Sequence, residues 1–140
     1  VNRKRVIVDT GPLVAFINKS DAHHQWAKTQ FSLITPPFIS CESVISETCF
    51  LLRKSANGPT RIVQLIEREL IVFPFDPQAE ASSIRKLMEK YRTVPMSFAD
   101  ACLVRLSEQI SESVICTIDR DFAIYRKHRR DVIPLIIPED

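Results

Sequence analysis

The feature that most constrains this chain is a set of short apolar runs uninterrupted by polar residues: Val6-Ile7-Val8, Phe38-Ile39, Leu70-Ile71-Val72-Phe73 and Val114-Ile115-Cys116. A strand with one face in water alternates polar and apolar positions, whereas a run apolar throughout is buried on both faces. These runs place strands at 5–9, 38–40, 70–75 and 113–117. A fifth, at 132–137, is interrupted by Pro134 and therefore belongs at an edge. Helical segments lie between them, at 13–17, 21–34, 42–54, 60–69, 76–91, 97–109 and 119–127. Asn57-Gly58-Pro59 reads as a stop signal for the third, and Asp76-Pro77 as an N-cap with proline at the first helical position. Apolar strands alternating with helices imply a parallel sheet covered on both sides, here one α/β domain over residues 1–140.

Composition limits the alternatives. Hydrophobic residues make up 45% of the chain and charged ones 26%, the balance of an ordinary globular protein. Gly11 and Gly58 are the two glycines, too few for a glycine-rich phosphate cradle. Cys41, Cys49, Cys102 and Cys116 lack metal-site spacing and sit in apolar surroundings, so buried reduced thiols are expected. No run approaches the ~18 apolar residues of a membrane span, and the basic start does not resemble a signal peptide. The expectation is a soluble, cytoplasmic protein. The net charge of +2 neither requires nor excludes nucleic acid. Basic residues nevertheless cluster at Arg3-Lys4-Arg5, at Lys86, Lys90 and Arg92, and at Arg126-Lys127-His128-Arg129-Arg130.

The chemistry lies in the acids, because Asp and Glu are rarely buried without a partner. Asp9 ends the first strand and Asp119 follows the fourth, at the carboxyl ends where open α/β sheets bind ligands. Capping the following helix is the alternative for each. Glu47 lies inside Val44-Ile45-Ser46-Glu47-Thr48-Cys49-Phe50-Leu51, too far along the helix to cap it and with apolar Val44 and Leu51 on its face. Asp100 is flanked by Met96 and Val104, although Ser97-x-x-Asp100 also resembles a capping box. Two carboxylates about 4 Å apart repel by about 4 kcal/mol at an effective dielectric of about 20. A convergent set must therefore hold protons or bind cations. Oxygen-only ligation selects Mg²⁺ or Mn²⁺, which equip a site to hydrolyse phosphodiesters.

These residues resemble the PIN-domain family and, within it, the VapC toxins of prokaryotic toxin–antitoxin pairs. Val6-Ile7-Val8-Asp9-Thr10 resembles the family's first strand and leading aspartate. Asp21-Ala22-His23-His24-Gln25-Trp26-Ala27 resembles a segment common in VapC-like members. Glu47, Asp100 in Ser97-Phe98-Ala99-Asp100-Ala101, and Asp119 in Thr117-Ile118-Asp119-Arg120-Asp121-Phe122 match the remaining acids in order. The resemblance implies a three-layer α/β/α fold whose five parallel strands run in the order 3-2-1-4-5. It also implies Mg²⁺- or Mn²⁺-dependent cleavage of RNA, homodimerisation and often a small antitoxin. Asp9, Glu47, Asp100 and Asp119 would be catalytic metal ligands, with Thr10, Thr117 and Asp121 accessory and Arg120 a candidate contact to the RNA backbone.

Competing readings are weaker. A phosphatase with a nucleophilic aspartate wants a second Asp where Gly11 stands, and a phosphoacceptor domain wants an acid where Phe73-Pro74-Phe75 ends the third strand. His23, His24 and His128 read as surface residues, not partners for a catalytic thiol. A PIN-like module that binds RNA or protein without cutting is the alternative of a different class, and a stand-alone PIN nuclease in RNA processing is the alternative within the family.

Overall fold

In the computed structural model, residues 4–139 are described. Arg3 of the first basic cluster lies outside them. Strand β1 (Arg5–Val8) leads into helix α1 (Thr10–Ile17), followed by α2 (His24–Leu33), β2 (Phe38–Ile39), α3 (Glu42–Leu51) and α4 (Gly58–Glu67). Then come β3 (Ile71–Val72), α5 (Ala81–Lys90), α6 (Phe98–Gln109) and β4 (Ser113–Cys116). A short 3₁₀ turn (Arg120–Ala123) precedes β5 (Arg126–Lys127), β6 (Asp131–Val132) and β7 (Leu135–Ile136).

The main sheet has five strands in the order β3-β2-β1-β4-β7, all pairings parallel. Its register sets Ile7 beside both Ile39 and Ile115. Ile7 and Ile115 are fully buried, as are Val8 and Cys116, which is why these runs have no polar alternation. Burying an isoleucine of this kind contributes roughly 2 kcal/mol. Helices α1 to α4 pack among themselves, while α5 pairs with α6, which also lies on β1 and β4. The chain leaves β1 towards β2 on one side, whereas β4 pairs on the other, so the topological switch lies between β1 and β4.

Several sequence expectations change here. The expected fifth strand at 132–137 is two strands, because Pro134 separates β6 from β7. Only β7 joins the main sheet, so the order 3-2-1-4-5 becomes 3-2-1-4-7 in chain numbering. The expected helix at 119–127 is only a 3₁₀ turn, and β5 instead pairs antiparallel with β6 in a separate hairpin. Asp21 caps a turn, accepting from the His23 N–H at 2.8 Å, and α2 begins at His24. Asn57-Gly58-Pro59 starts α4 instead of ending α3: Asn57 is left-handed (φ 60°) and Pro59 occupies the first turn. A Cβ on Gly58 would stand 3.0 Å from Leu52 and Ser55 Cβ atoms, so this close join needs glycine. Asp76 accepts from the Gln78 and Ala79 N–H groups, but this makes a turn, and α5 begins at Ala81.

The four cysteines are free thiols, three of them buried. No helix among the described residues is long and apolar enough to cross a membrane.

Candidate active site

Asp9, the N-cap of α1, stands at the carboxyl end of β1 and is 8% exposed. Both carboxylate oxygens are engaged: Oδ1 accepts from the Thr10 N–H and Oδ2 from the Thr117 hydroxyl, each at 2.7 Å. Thr117 directly follows β4, and its Oγ1 also accepts from the Asp119 N–H at 3.0 Å. Asp119 in turn caps the 3₁₀ turn, with its Oδ1 accepting from the Asp121 N–H at 2.9 Å. One chain of hydrogen bonds thus ties the ends of the two switch-point strands. The capping and ligand readings of Asp9 and Asp119 are the same geometry, since a cap leaves lone pairs free.

Asp100 reaches the same place from α6. Its N–H donates to Ser97 Oγ at 3.0 Å, which is half of a capping box, and its Oδ2 accepts from the Tyr125 hydroxyl at 2.8 Å. Tyr125 is fully buried, with its ring edge-on to Tyr91 and Phe122. Sequence reasoning overlooked Tyr125 as a site residue. A tyrosine beside Phe122 reads as core, and only its apposition to α6 reveals the hydroxyl's target.

A cleft of about 470 Å³ gathers Asp9, Glu47, Asp100, Asp119 and Asp121, with Thr10, Gly11 and Ser97 also in its wall. Gly11 lets α1 approach the loop after β4, because a Cβ there would stand 3.2 Å from Ile118 Cβ. Glu47 lines the cleft, but the physical reason for singling it out does not hold. It is exposed, and Leu51 one turn on is itself 51% exposed, so this face of α3 is a cleft wall instead of core. Thr10 turns its hydroxyl away, to the Val44 carbonyl at 3.5 Å, and meets Asp9 through its backbone alone. Arg120 donates to the Pro138 carbonyl at 2.6 Å.

The electrostatics are those of carboxylates short of cations. Burial, reinforced by the charges of Asp100 and Asp119, pushes the Asp9 carboxyl up to about 6 against the pull of its two hydrogen bonds. Asp100 is also raised, chiefly by burial, despite the bonds from Tyr125 and Ser97. The ion pairs of Arg85 and Arg105 lie on α5 and α6 and involve none of these acids. Among the described residues, no three acids, histidines or cysteines are already gathered as a ready metal cage. The donor chemistry nevertheless fits a hard divalent cation, because the cleft offers carboxylate oxygens whose mutual repulsion such an ion would relieve.

A parallel sheet with acids at its switch point defines a class of α/β proteins that bind ligands at strand ends. Residues 6–127 match the PIN domain, and the chain belongs to that family. Among solved structures it is similar to the Mycobacterium tuberculosis VapC20 toxin, described as cleaving the sarcin–ricin loop. The two share 20% sequence identity and a TM-score of 0.78, over 92% of this chain and 99% of that one. No curated protein matches the sequence.

Proposed function

We propose that this protein is an endoribonuclease of the VapC type, hydrolysing RNA phosphodiester bonds with Mg²⁺ or Mn²⁺ held by Asp9, Glu47, Asp100 and Asp119. The observation that carries the reading is the convergence of these acids in one cleft at the switch point of a PIN domain. The similarity to a toxin that cleaves the sarcin–ricin loop supports RNA as the substrate class. When bound, the cation supplies positive charge against the scissile phosphate and acidifies the attacking water.

The protein's own residues do the positioning. Thr117 and the Thr10 N–H hold both oxygens of Asp9, so its carboxylate keeps one orientation. Tyr125 does the same for Asp100 while favouring its ionised form. Glu47, exposed in the same cleft, would hold a metal or the water bound to it. Asp121 is an accessory acid whose N–H fixes Asp119, and Arg120 remains a candidate contact to the RNA backbone. A homodimer and a small antitoxin that covers the cleft are the protein partners that a VapC-type toxin would have, and the cytoplasm its compartment.

The test is incubation of partner-free protein with total RNA in Mg²⁺, Mn²⁺ or EDTA, beside Asp9→Asn. Discrete fragments with 5′-phosphate and 3′-hydroxyl ends, absent in EDTA and in the variant, are expected. Folded protein that binds RNA yet never cuts would replace the proposal with a non-cleaving binding module.

A further inference from the structure

Two basic clusters far apart in sequence meet on one face of the fold. The Lys90 ammonium at the end of α5 donates to the Arg129 carbonyl at 2.8 Å, across 39 residues. Between α5, α6 and the β5–β6 hairpin lies a groove of about 500 Å³, lined by Lys86, Lys90, Arg105, Glu108, His128 and Arg129. We infer that this face is a binding surface for the phosphate backbone of RNA extending beyond the scissile bond. The inference rests on the ribonuclease reading for its substrate class.

Three observations carry it. First, the local acids are already committed. Glu80 pairs with Arg105 at 2.6 Å, and Glu108 holds Arg105 with one oxygen and the His128 N–H with the other. Among the described residues, no carboxylate pairs with Lys86, Arg129 or Arg130, and all three are exposed. Asp131 stands opposite Lys127 in the hairpin. The remaining positive charge is therefore unspent, as a polyanion requires.

Second, the hairpin tip carries His128 and Arg129 in left-handed backbone, with φ of 51° and 75°. Glycine or asparagine adopts that conformation at lower cost. The sequence instead places His128 and Arg129 there, both exposed. Third, the hairpin is rooted beside the cleft. Tyr125 holds Asp100, and the next residue, Arg126, begins β5 with its N–H donating to the Tyr91 hydroxyl at 2.9 Å. RNA held at the carboxylates would extend onto this face, with Lys86 and Arg129 contacting its phosphates.

The experiment measures anisotropy of a labelled RNA stem-loop in EDTA, where cleavage is suppressed, across a range of salt. The variant Lys86→Gln/Arg129→Gln/Arg130→Gln removes exposed charges only, and its melt should match that of the parent. Affinity is expected to fall about tenfold or more, and the salt slope by about 1 for each lost phosphate contact. The charge-matched control Lys28→Gln/Arg61→Gln/Arg68→Gln should retain both. Lys86→Glu alone, on a helix apart from the hairpin, should weaken binding in the same direction. Unchanged affinity and slope in the first variant and in Lys86→Glu would overturn the inference. So would tight, face-dependent binding of polyglutamate with RNA binding unaffected, which would assign the face to an acidic protein. The ribonuclease reading fails separately, if unsubstituted protein cuts no RNA with either metal while the anisotropy still reports the face.

Discussion

The cleft and the basic face are opposite cases of unbalanced charge, joined at Tyr125 and Arg126. In the cleft, acids from β1, α6 and the turn after β4 stand together, and burial drives Asp9 towards its protonated form. On the basic face, cations stand in solvent while Glu80 and Glu108 are occupied by Arg105 and His128. The difference is one of dielectric. Asp9, buried beside like charges, strains the folded state, whereas exposed cations cost little, are screened by salt and act along a surface. The first arrangement suits chemistry at one atom, and the second suits holding a polymer.

The sharpest way to break this comparison is Asp9→Asn. Cleavage should fall by about a thousandfold or more, as several kcal/mol of transition-state stabilisation are lost, while stem-loop affinity in EDTA stays unchanged. Single-turnover rates beside anisotropy check both. An equal loss of binding would mean that the two regions are not separate.

The same substitution tests the strain in the cleft. Asp9 has its carboxyl raised from 3.8 to about 6, so the folded state holds a proton that the unfolded chain releases. The resulting stabilisation is complete below about pH 4 and lost as pH rises through about 6. Metal-free protein should therefore lose ~2 kcal/mol between about pH 4 and about pH 6 relative to Asp9→Asn. Urea unfolding at the two pH values measures it. Parallel pH curves for the two proteins would remove the argument for stored repulsion.

Tyr125→Phe keeps the ring packing but deletes the bond to Asp100, which should cost about 1 kcal/mol of stability. Losing a bond that favours ionised Asp100 should also move the acid limb of the pH–rate profile to higher pH. Loss of stability without that movement would make Tyr125 a packing residue only.

The smallest expected effect is that of Arg105→Gln, which releases Glu80 and Glu108 into the basic groove. RNA affinity should fall a few-fold and stability by about 1 kcal/mol, in proportion to a pair only partly shielded from water. Anisotropy and melting would show it, and unchanged affinity would mean that neutralisation of these acids is not what keeps the face basic.

Asp9 and Asp119 were legible in the sequence as acids at or just beyond the carboxyl ends of apolar strands, where open α/β sheets bind ligands. Asp100 was legible through Ser97 and the apolar periodicity around it. Glu47 was found on a premise the structure removes, since periodicity identifies a helix face without saying whether core or cleft lies opposite it. Tyr125 and Gly11 were not legible as site residues. Their roles depend on which other element lies within about 3 Å, which local pattern does not encode.

The sequence by itself determined the α/β class, the parallel sheet and the strand-end acids, because an apolar run buried on both faces and the residue that ends it are local properties of the chain. It also showed the basic clusters as clusters, but not as neighbours. Only the tertiary structure decided that residues 131–132 would leave the main sheet, that 126–132 would form a hairpin instead of prolonging a helix, and that Lys90 would meet Arg129. Those outcomes turn on long-range contacts: β7 docks on β4 by backbone pairing, and the hairpin is fastened by Tyr91, Lys90 and Glu108 from two distant helices.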